Sequence, residues 1–256
     1  MGDVARRAHV TLGAAFVACG RIGFDPLPGA APTDAPMLPV IIYATDSTAL
    51  YSIDPVTRAE TRLANLSRAD SVVVAPCDVA VDAAGTIFVA DQNLPELYRV
   101  DPATGNCAVT MLSPAKSLLG TTYVPPGVLD PDHEVLVGAS ADQNLYTVDP
   151  GNGAMTLIGP MGARVNGDLV WTGSELIMTV SGSPNDVLYR IDIATGQSTP
   201  IGDTGFIDIY GMARVGTTIF GLLETNGIVT IDPATGVATM VKNDAIGWTG
   251  ASAPDG

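Results

Sequence analysis

Leu97-Tyr98-Arg99-Val100-Asp101-Pro102-Ala103-Thr104-Gly105 is the stretch that decides the fold. Its first four residues alternate and are rich in β-formers, which makes them a strand. Asp101 opens a tight turn by bonding nearby backbone, and Pro102 presets φ for the next position. Gly105 closes the turn where φ must be positive, and Cys107-Ala108-Val109-Thr110-Met111 resumes as a strand. The phrase is a β-hairpin. It occurs five times, with its turn aspartate at Asp54, Asp101, Asp149, Asp192 and Asp232, spaced 47, 48, 43 and 40 residues apart. That spacing is the period of a propeller blade. Arg58 stands in the first copy where the other four carry Gly105, Gly153, Gly196 and Gly236.

A second hairpin precedes each phrase. In the second copy it is Asp78-Val79-Ala80-Val81-Asp82, a turn at Ala83-Ala84-Gly85, then Thr86-Ile87-Phe88-Val89-Ala90. The two hairpins supply strands A to D of one blade. The first copy lacks a strand A and begins at Val40-Ile41-Ile42-Tyr43-Ala44, whereas Gly247-Trp248-Thr249-Gly250-Ala251-Ser252 follows the fifth copy as an unaccompanied strand A. The expected fold is therefore all-β: a five-bladed β-propeller, four antiparallel strands per blade, over residues 39–256. Its ring is closed by the C-terminal strand joining the N-terminal blade. Closure of this kind removes open sheet edges.

Composition agrees. The 256 residues are 46% hydrophobic and 15% charged, which excludes a disordered chain, and 28 Gly with 19 Pro exclude a long coiled coil. The excess of 27 acidic over 12 basic residues speaks against a nucleic-acid partner.

The first eighteen residues read as a signal peptide. Arg6 and Arg7 precede the uncharged stretch from Val10 to Ala18, which ends at Cys19. Phe16-Val17-Ala18-Cys19 resembles a bacterial lipobox, which implies lipidation of Cys19 as the first mature residue. The protein would then be exported and anchored to the cell envelope, at the outer membrane if the cell is Gram-negative. Cleavage without lipidation would release it as a secreted protein. Residues 19–38, with Gly29-Ala30-Ala31-Pro32-Thr33-Asp34-Ala35-Pro36, form a flexible Pro/Ala tether. No apolar run reaches the length of about 18 residues that a membrane-spanning helix needs, so contact with the membrane is through a lipid anchor only.

From residue 40 to residue 254 the chain resembles bacterial secreted propellers with Leu-Tyr-x-Ile-Asp-x-x-Thr-Gly repeats, loosely of the NHL and YVTN types. The resemblance implies an architecture and is nearly silent on activity. The Gly-His and Trp-Asp marks of WD-repeat blades and the tryptophan-docking repeats of quinoprotein dehydrogenases are missing.

Catalytic groups are scarce. His9 belongs to the leader, and His133, in Asp130-Pro131-Asp132-His133-Glu134, sits in an outer turn and reads as exposed surface. His/Cys clusters with zinc spacing and Gly-rich phosphate loops are absent. Cys77 and Cys107 open strands A and D of one blade, about 14 Å apart. That is too far for the Cα separation of about 6 Å in a disulfide, so they read as two buried free thiols.

In propellers of this connectivity the D–A and B–C connections gather on one face, around the channel mouth. The strand A entries there carry Asp78, Asn166, Asp168, Asp208 and Asp244, and the B–C loops carry Asp46, Asp91, Asp142, Asp186 and Glu224. Converging oxygen ligands suit Ca²⁺, with Asp78, Asp168 and Asp208 as the candidate ligands. The gluconolactonase-like propellers hold a catalytic metal in this manner. The same residues are also ordinary turn formers. Tyr123, Tyr210 and Trp248 lie near strand A entries, where they either stack on a ligand or pack between blades.

Two functions remain open. One is a monomeric cell-envelope binding or scaffold protein without chemistry or cofactor, taking a small molecule, glycan or protein at the mouth through Asp78, Asn166, Asp168, Asp208, Tyr210, Asp244 and Trp248. The other is a Ca²⁺-dependent hydrolase, lactonase or lyase with an axial site on the same face.

Overall fold

The computed structural model describes residues 40–225 and 227–254. They belong to one compact unit that runs from Pro39 to Gly256. The signal peptide, Cys19 and the tether lie outside the described residues.

The twenty strands of the described residues form five antiparallel four-stranded sheets, the blades of a five-bladed β-propeller. Blade one holds β1 (Ile42–Thr45), β2 (Ala49–Ile53) and β3 (Glu60–Asn65). Blade two holds β4 (Pro76–Val81), β5 (Ile87–Asp91), β6 (Glu96–Val100) and β7 (Cys107–Met111). Blade three holds β8 (Leu118–Val124), β9 (Val135–Ser140), β10 (Asn144–Val148) and β11 (Met155–Pro160). Blade four holds β12 (Leu169–Trp171), β13 (Leu176–Val180), β14 (Val187–Ile191) and β15 (Ser198–Asp203). Blade five holds β16 (Ile209–Val215), β17 (Thr218–Leu223), β18 (Gly227–Ile231) and β19 (Ala238–Lys242). The last strand, β20 (Gly250–Ser252), returns to blade one and pairs with β1 in the register Tyr43↔Ser252, Ala44↔Ala251, Thr45↔Gly250. The ring closes as the sequence implies, with three strands from one end of the unit and one from the other.

Burial follows from blades packing face to face. Inner strands are covered on both sides, so β5 is buried at every position, and such strands read as near-continuous apolar runs. Outer strands touch solvent, and β3 and β15 hold no fully buried residue. The core is accordingly divided into five inter-blade layers. In one, Val137 and Leu145 of blade three meet Leu169, Trp171 and Met178 of blade four. In the closing layer, Ile42, Tyr51, Trp248 and Ala251 of blade one meet Phe220 and Leu222 of blade five.

The C–D turns behave as read. Asp101 Oδ1 accepts from the Ala103 amide at 3.0 Å, Asp232 Oδ1 from Ala234 at 2.9 Å, and Asp54 Oδ1 from Val56 at 2.7 Å. Gly105 has φ +76°, and its amide donates to Asp101 O at 2.7 Å. Arg58 occupies the same conformation at φ +59°, with its amide donating to Asp54 O at 2.8 Å, so the first turn has the shape of the others. A Cβ at Gly105 would stand 2.0 Å from Asn65 O of the preceding blade, so the glycine also serves close blade packing.

Candidate binding site at the channel mouth

The D–A and B–C connections make one mouth of the central channel, here the upper mouth. A one-residue bulge at the start of β4, between Pro76 and Asp78, sets the side chains there. The same irregularity recurs between Leu118 and Gly120 and between Ile209 and Gly211. It turns Cys77, Leu119 and Tyr210 toward a cavity of about 380 Å³, which Asn166 and Thr249 of the remaining blades also line. Ser47, Gln92 and Glu224 enter from B–C loops and Arg164 from a D–A connection. All five blades contribute.

At the axis the inner strands approach so closely that side chains are restricted. A Cβ on Gly250 would lie 2.4 Å from Asp78 Cα, and one on Gly120 would lie 3.0 Å from Gly167 O. Asp78 and Asp168 occupy the equivalent places in blades two and four, and both are fully buried. Asp78 Oδ2 accepts from the Thr121 hydroxyl at 2.8 Å and from the Thr121 amide of the next blade. Asp168 Oδ2 accepts from the Met212 amide, likewise one blade on, at 2.7 Å, and Oδ1 from Leu169 N at 2.5 Å. The carboxyls tie neighbouring blades together. They also perturb each other: burial pushes the Asp78 carboxyl up to about 7, and burial together with the adjacent Asp78 raises Asp168 well above the carboxylate range. Asp78 Oδ1 has no donor among the described residues. Both carboxyls are shifted toward the protonated form.

Ca²⁺ does not fit this arrangement. The Asp78 and Asp168 carboxyls are buried and already taken up by backbone amides and the Thr121 hydroxyl, which leaves no oxygen-rich shell. Asp208 stands apart in the connection into β16, at φ +57°, where its carboxylate accepts from the Tyr210 hydroxyl at 3.4 Å. Among the described residues no three His, Cys, Asp or Glu side chains are grouped to hold one ion.

The structure brings Asn166 and Tyr210 to the cavity wall and withdraws others from it. Asp244 is a turn former, accepting from Ile246 N at 2.9 Å and from Trp248 Nε1 at 3.3 Å. Trp248 is fully buried, edge-on to Tyr51 with ring centroids 5.3 Å apart, and so packs the core instead of offering a stacking face. Tyr123 lies at the far end of its strand, buried beside Phe88, and not at the strand entry. The B–C loop aspartates serve the repeat tyrosines: Tyr51 donates to Asp46 at 2.8 Å, Tyr98 to Asp91 at 2.9 Å and Tyr146 to Asp142 at 2.9 Å. Asp186 Oδ2 accepts from Ile209 N of the next blade at 2.9 Å. His133 is exposed beside Asp130.

Cys107 is buried as expected, but Cys77 is half-buried and faces the cavity. Both thiols are free. Burial, followed by the carboxyls of Asp78, Asp168 and Asp91, pushes the Cys77 thiol far up, which leaves it protonated and a poor nucleophile. Burial and the charges of Asp208 and Glu224 raise the Tyr210 phenol, while the Asn166 amide pulls it the other way. Cys77, Leu119, Arg164 and Thr249 were not legible as lining residues, because no sequence signal marks the bulge that exposes Cys77 and Leu119. Two D–A connections on the same face expose apolar side chains: Val72 and Val73 (82% exposed) in one and Ile207 in the other.

No family model matches the chain, and no curated protein matches it in sequence. Solved structures do resemble it. A chain of the nidogen/laminin complex matches over 85% of this chain and 81% of its own length, at 13% identity and a TM-score of 0.53. The Dos1 propeller matches over 80% of this chain and 56% of its own, at 13% identity and 0.41. BamB from Moraxella catarrhalis matches over 80% and 70%, at 12% identity and 0.40. At these identities the likeness is one of fold, and the chain is a five-bladed β-propeller.

Proposed function

We propose that the chain is an exported binding or scaffold propeller, anchored to the cell envelope through a lipid on Cys19, that receives a protein partner at the upper mouth without chemistry. The observation that carries this reading is the cavity lined from all five blades. The D–A connections on the same face also expose Val72, Val73 and Ile207. A concave, partly polar cavity with exposed apolar residues on the same face suits one inserted group of a partner whose remaining surface rests on those residues. The raised Cys77 thiol argues against a nucleophile there. The leader and the Phe16-Val17-Ala18-Cys19 box support the anchor, and the recurring Leu-Tyr-x-Ile-Asp-x-x-Thr-Gly phrase supports kinship with secreted bacterial propellers. The acidic balance of the chain fits a partner other than nucleic acid.

Site-specific photo-cross-linking in the producing cell tests the reading. Cross-linkers at Val73 and Ile207 are expected to give a discrete adduct that cross-linkers at Val56 and Val237, exposed in the C–D turns, do not give. Equal adducts from both faces, or none from the mouth, overturn it.

A further inference from the structure

The opposite end of the channel is a second, smaller cavity of about 120 Å³, again lined from all five blades, with Tyr123, Pro125, Glu134, Trp171, Arg214 and Pro254 among its walls. Two of those side chains carry hydrogen-bond donors that have no acceptor among the described residues. Trp171 is 6% exposed and its Nε1 is unpartnered. Arg214 Nε is unpartnered as well, and the only acceptor of its guanidinium is Gly216 O, reached by Nη1 at 3.1 Å. Unsatisfied buried donors of two kinds at one small cavity are unusual, because native structures pair nearly all such groups. The guanidinium forms no ion pair among the described residues, while Glu134, the carboxylate in the same wall, accepts from the Ala83 amide at 3.1 Å on both oxygens.

We infer that this lower mouth is a binding site for a small carboxylate group, whose two oxygens accept from the Trp171 indole N–H and the Arg214 guanidinium. A carboxylate matches the pair on two counts. It supplies two acceptors, and it neutralises a guanidinium that has no carboxylate partner among the described residues. A cavity of about 120 Å³ has room for a group of that size. The site is independent of the upper mouth and does not depend on the function proposed for it.

The indole N–H resonances of the full ¹⁵N-labelled chain give the test. Two are expected, because the sequence has two tryptophans, and Trp248→Phe assigns them. Trp248 is bonded to Asp244 in the core and serves as the internal reference. Acetate replacing chloride at constant ionic strength is expected to move the Trp171 signal alone, saturating on the order of 1–10 mM. Arg214→Gln is expected to weaken acetate roughly tenfold or more, since bonds to charged groups are the stronger ones. Acetyl-aspartyl amide separates the sources: a Trp171 response to it assigns the site to an acidic side chain, and a response to acetate alone assigns it to a free acid. A silent Trp171 signal overturns the inference, as does acetamide binding as well as acetate or Arg214→Gln binding acetate unchanged.

Discussion

Lys242 Nζ crosses the seam between the last and first blades to donate to the carbonyl oxygen of Arg58 at 2.9 Å, and it pairs there with Glu60. At the other four seams a turn glycine lies against the preceding blade. Cβ atoms at Gly105, Gly153, Gly196 and Gly236 would stand within 2.7 Å of a carbonyl oxygen there. The fifth seam has an arginine turn, and a lysine takes up the contact. Arg58 is thus held by its backbone, and its side chain is not the partner of Glu60.

Arg58→Gly should therefore stabilise the fold. The left-handed conformation costs a non-glycine residue about 1 kcal/mol, and the Lys242 bond is to backbone that the substitution keeps. Glycine's larger unfolded-state entropy offsets part of the gain. The expected change is a rise of about 1–3 °C in melting temperature. A fall of the same size would mean that the arginine side chain contributes more than its backbone strain costs.

Removal of residues 245–256 should be severely destabilising. It deletes Trp248, fully buried against Tyr51, and β20, the innermost strand of blade one. Loss of the tryptophan alone costs about 3–5 kcal/mol, and the open ring adds an exposed sheet edge. A truncated protein melting within a few degrees of the full chain would refute closure by β20.

Cys19→Ser should move the protein from the membrane fraction to the soluble or precursor fraction. The basic start, apolar stretch and terminal cysteine of residues 6–19 motivate this. Fractionation of cells expressing each form decides it, and an unchanged membrane share would remove the lipid from the proposal.

The fold was legible because its hairpin recurs five times, three of them with the full Asp-x-x-Thr-Gly turn: the turn aspartate and its period are properties of the chain itself, and the orphan strand at Gly250–Ser252 needed only a partner at Tyr43–Thr45. The mouth was less so. The bulge that separates Cys77 from Asp78 decides which of the two reaches the cavity and which reaches the axis, and its cause is inter-blade packing. Asp46, Asp91 and Asp142 looked available until the tyrosines five, seven and four residues later were found bonded to them. The Asp78–Asp168 pairing joins residues ninety positions apart, a distance over which local pattern carries no information. Trp248 followed the strand-entry pattern of a mouth aromatic, but closure by the strand it precedes carries it into the core.

The buried pair makes stability depend on pH in a direction opposite to that of ordinary surface carboxylates. Burial pushes Asp78 up to about 7 in the folded protein, and burial with the neighbouring Asp78 raises Asp168 well above the carboxylate range, against an unfolded value near 4. Between these values the folded state binds more protons than the unfolded state, so stability falls as pH rises from about 4 to about 7. The turn aspartates Asp54, Asp101 and Asp232 are shifted down by their hydrogen bonds, and their contribution is lost only at lower pH, as it falls through those depressed values. Melting curves at pH 4.5, 6 and 8 therefore report the raised carboxyls, the pair together with Asp186, which burial also raises. Asp168→Asn keeps an oxygen for the Met212 amide but loses the one that accepts from Leu169, so it should be less stable than the wild type at pH 4.5 by about 1–3 kcal/mol. Having no carboxyl to ionise at that place, it should lose less stability as pH rises, and the gap should narrow by pH 8. A wild type that gains stability from pH 4.5 to 8, with the variant running parallel to it, would show that the axial carboxyls are not raised.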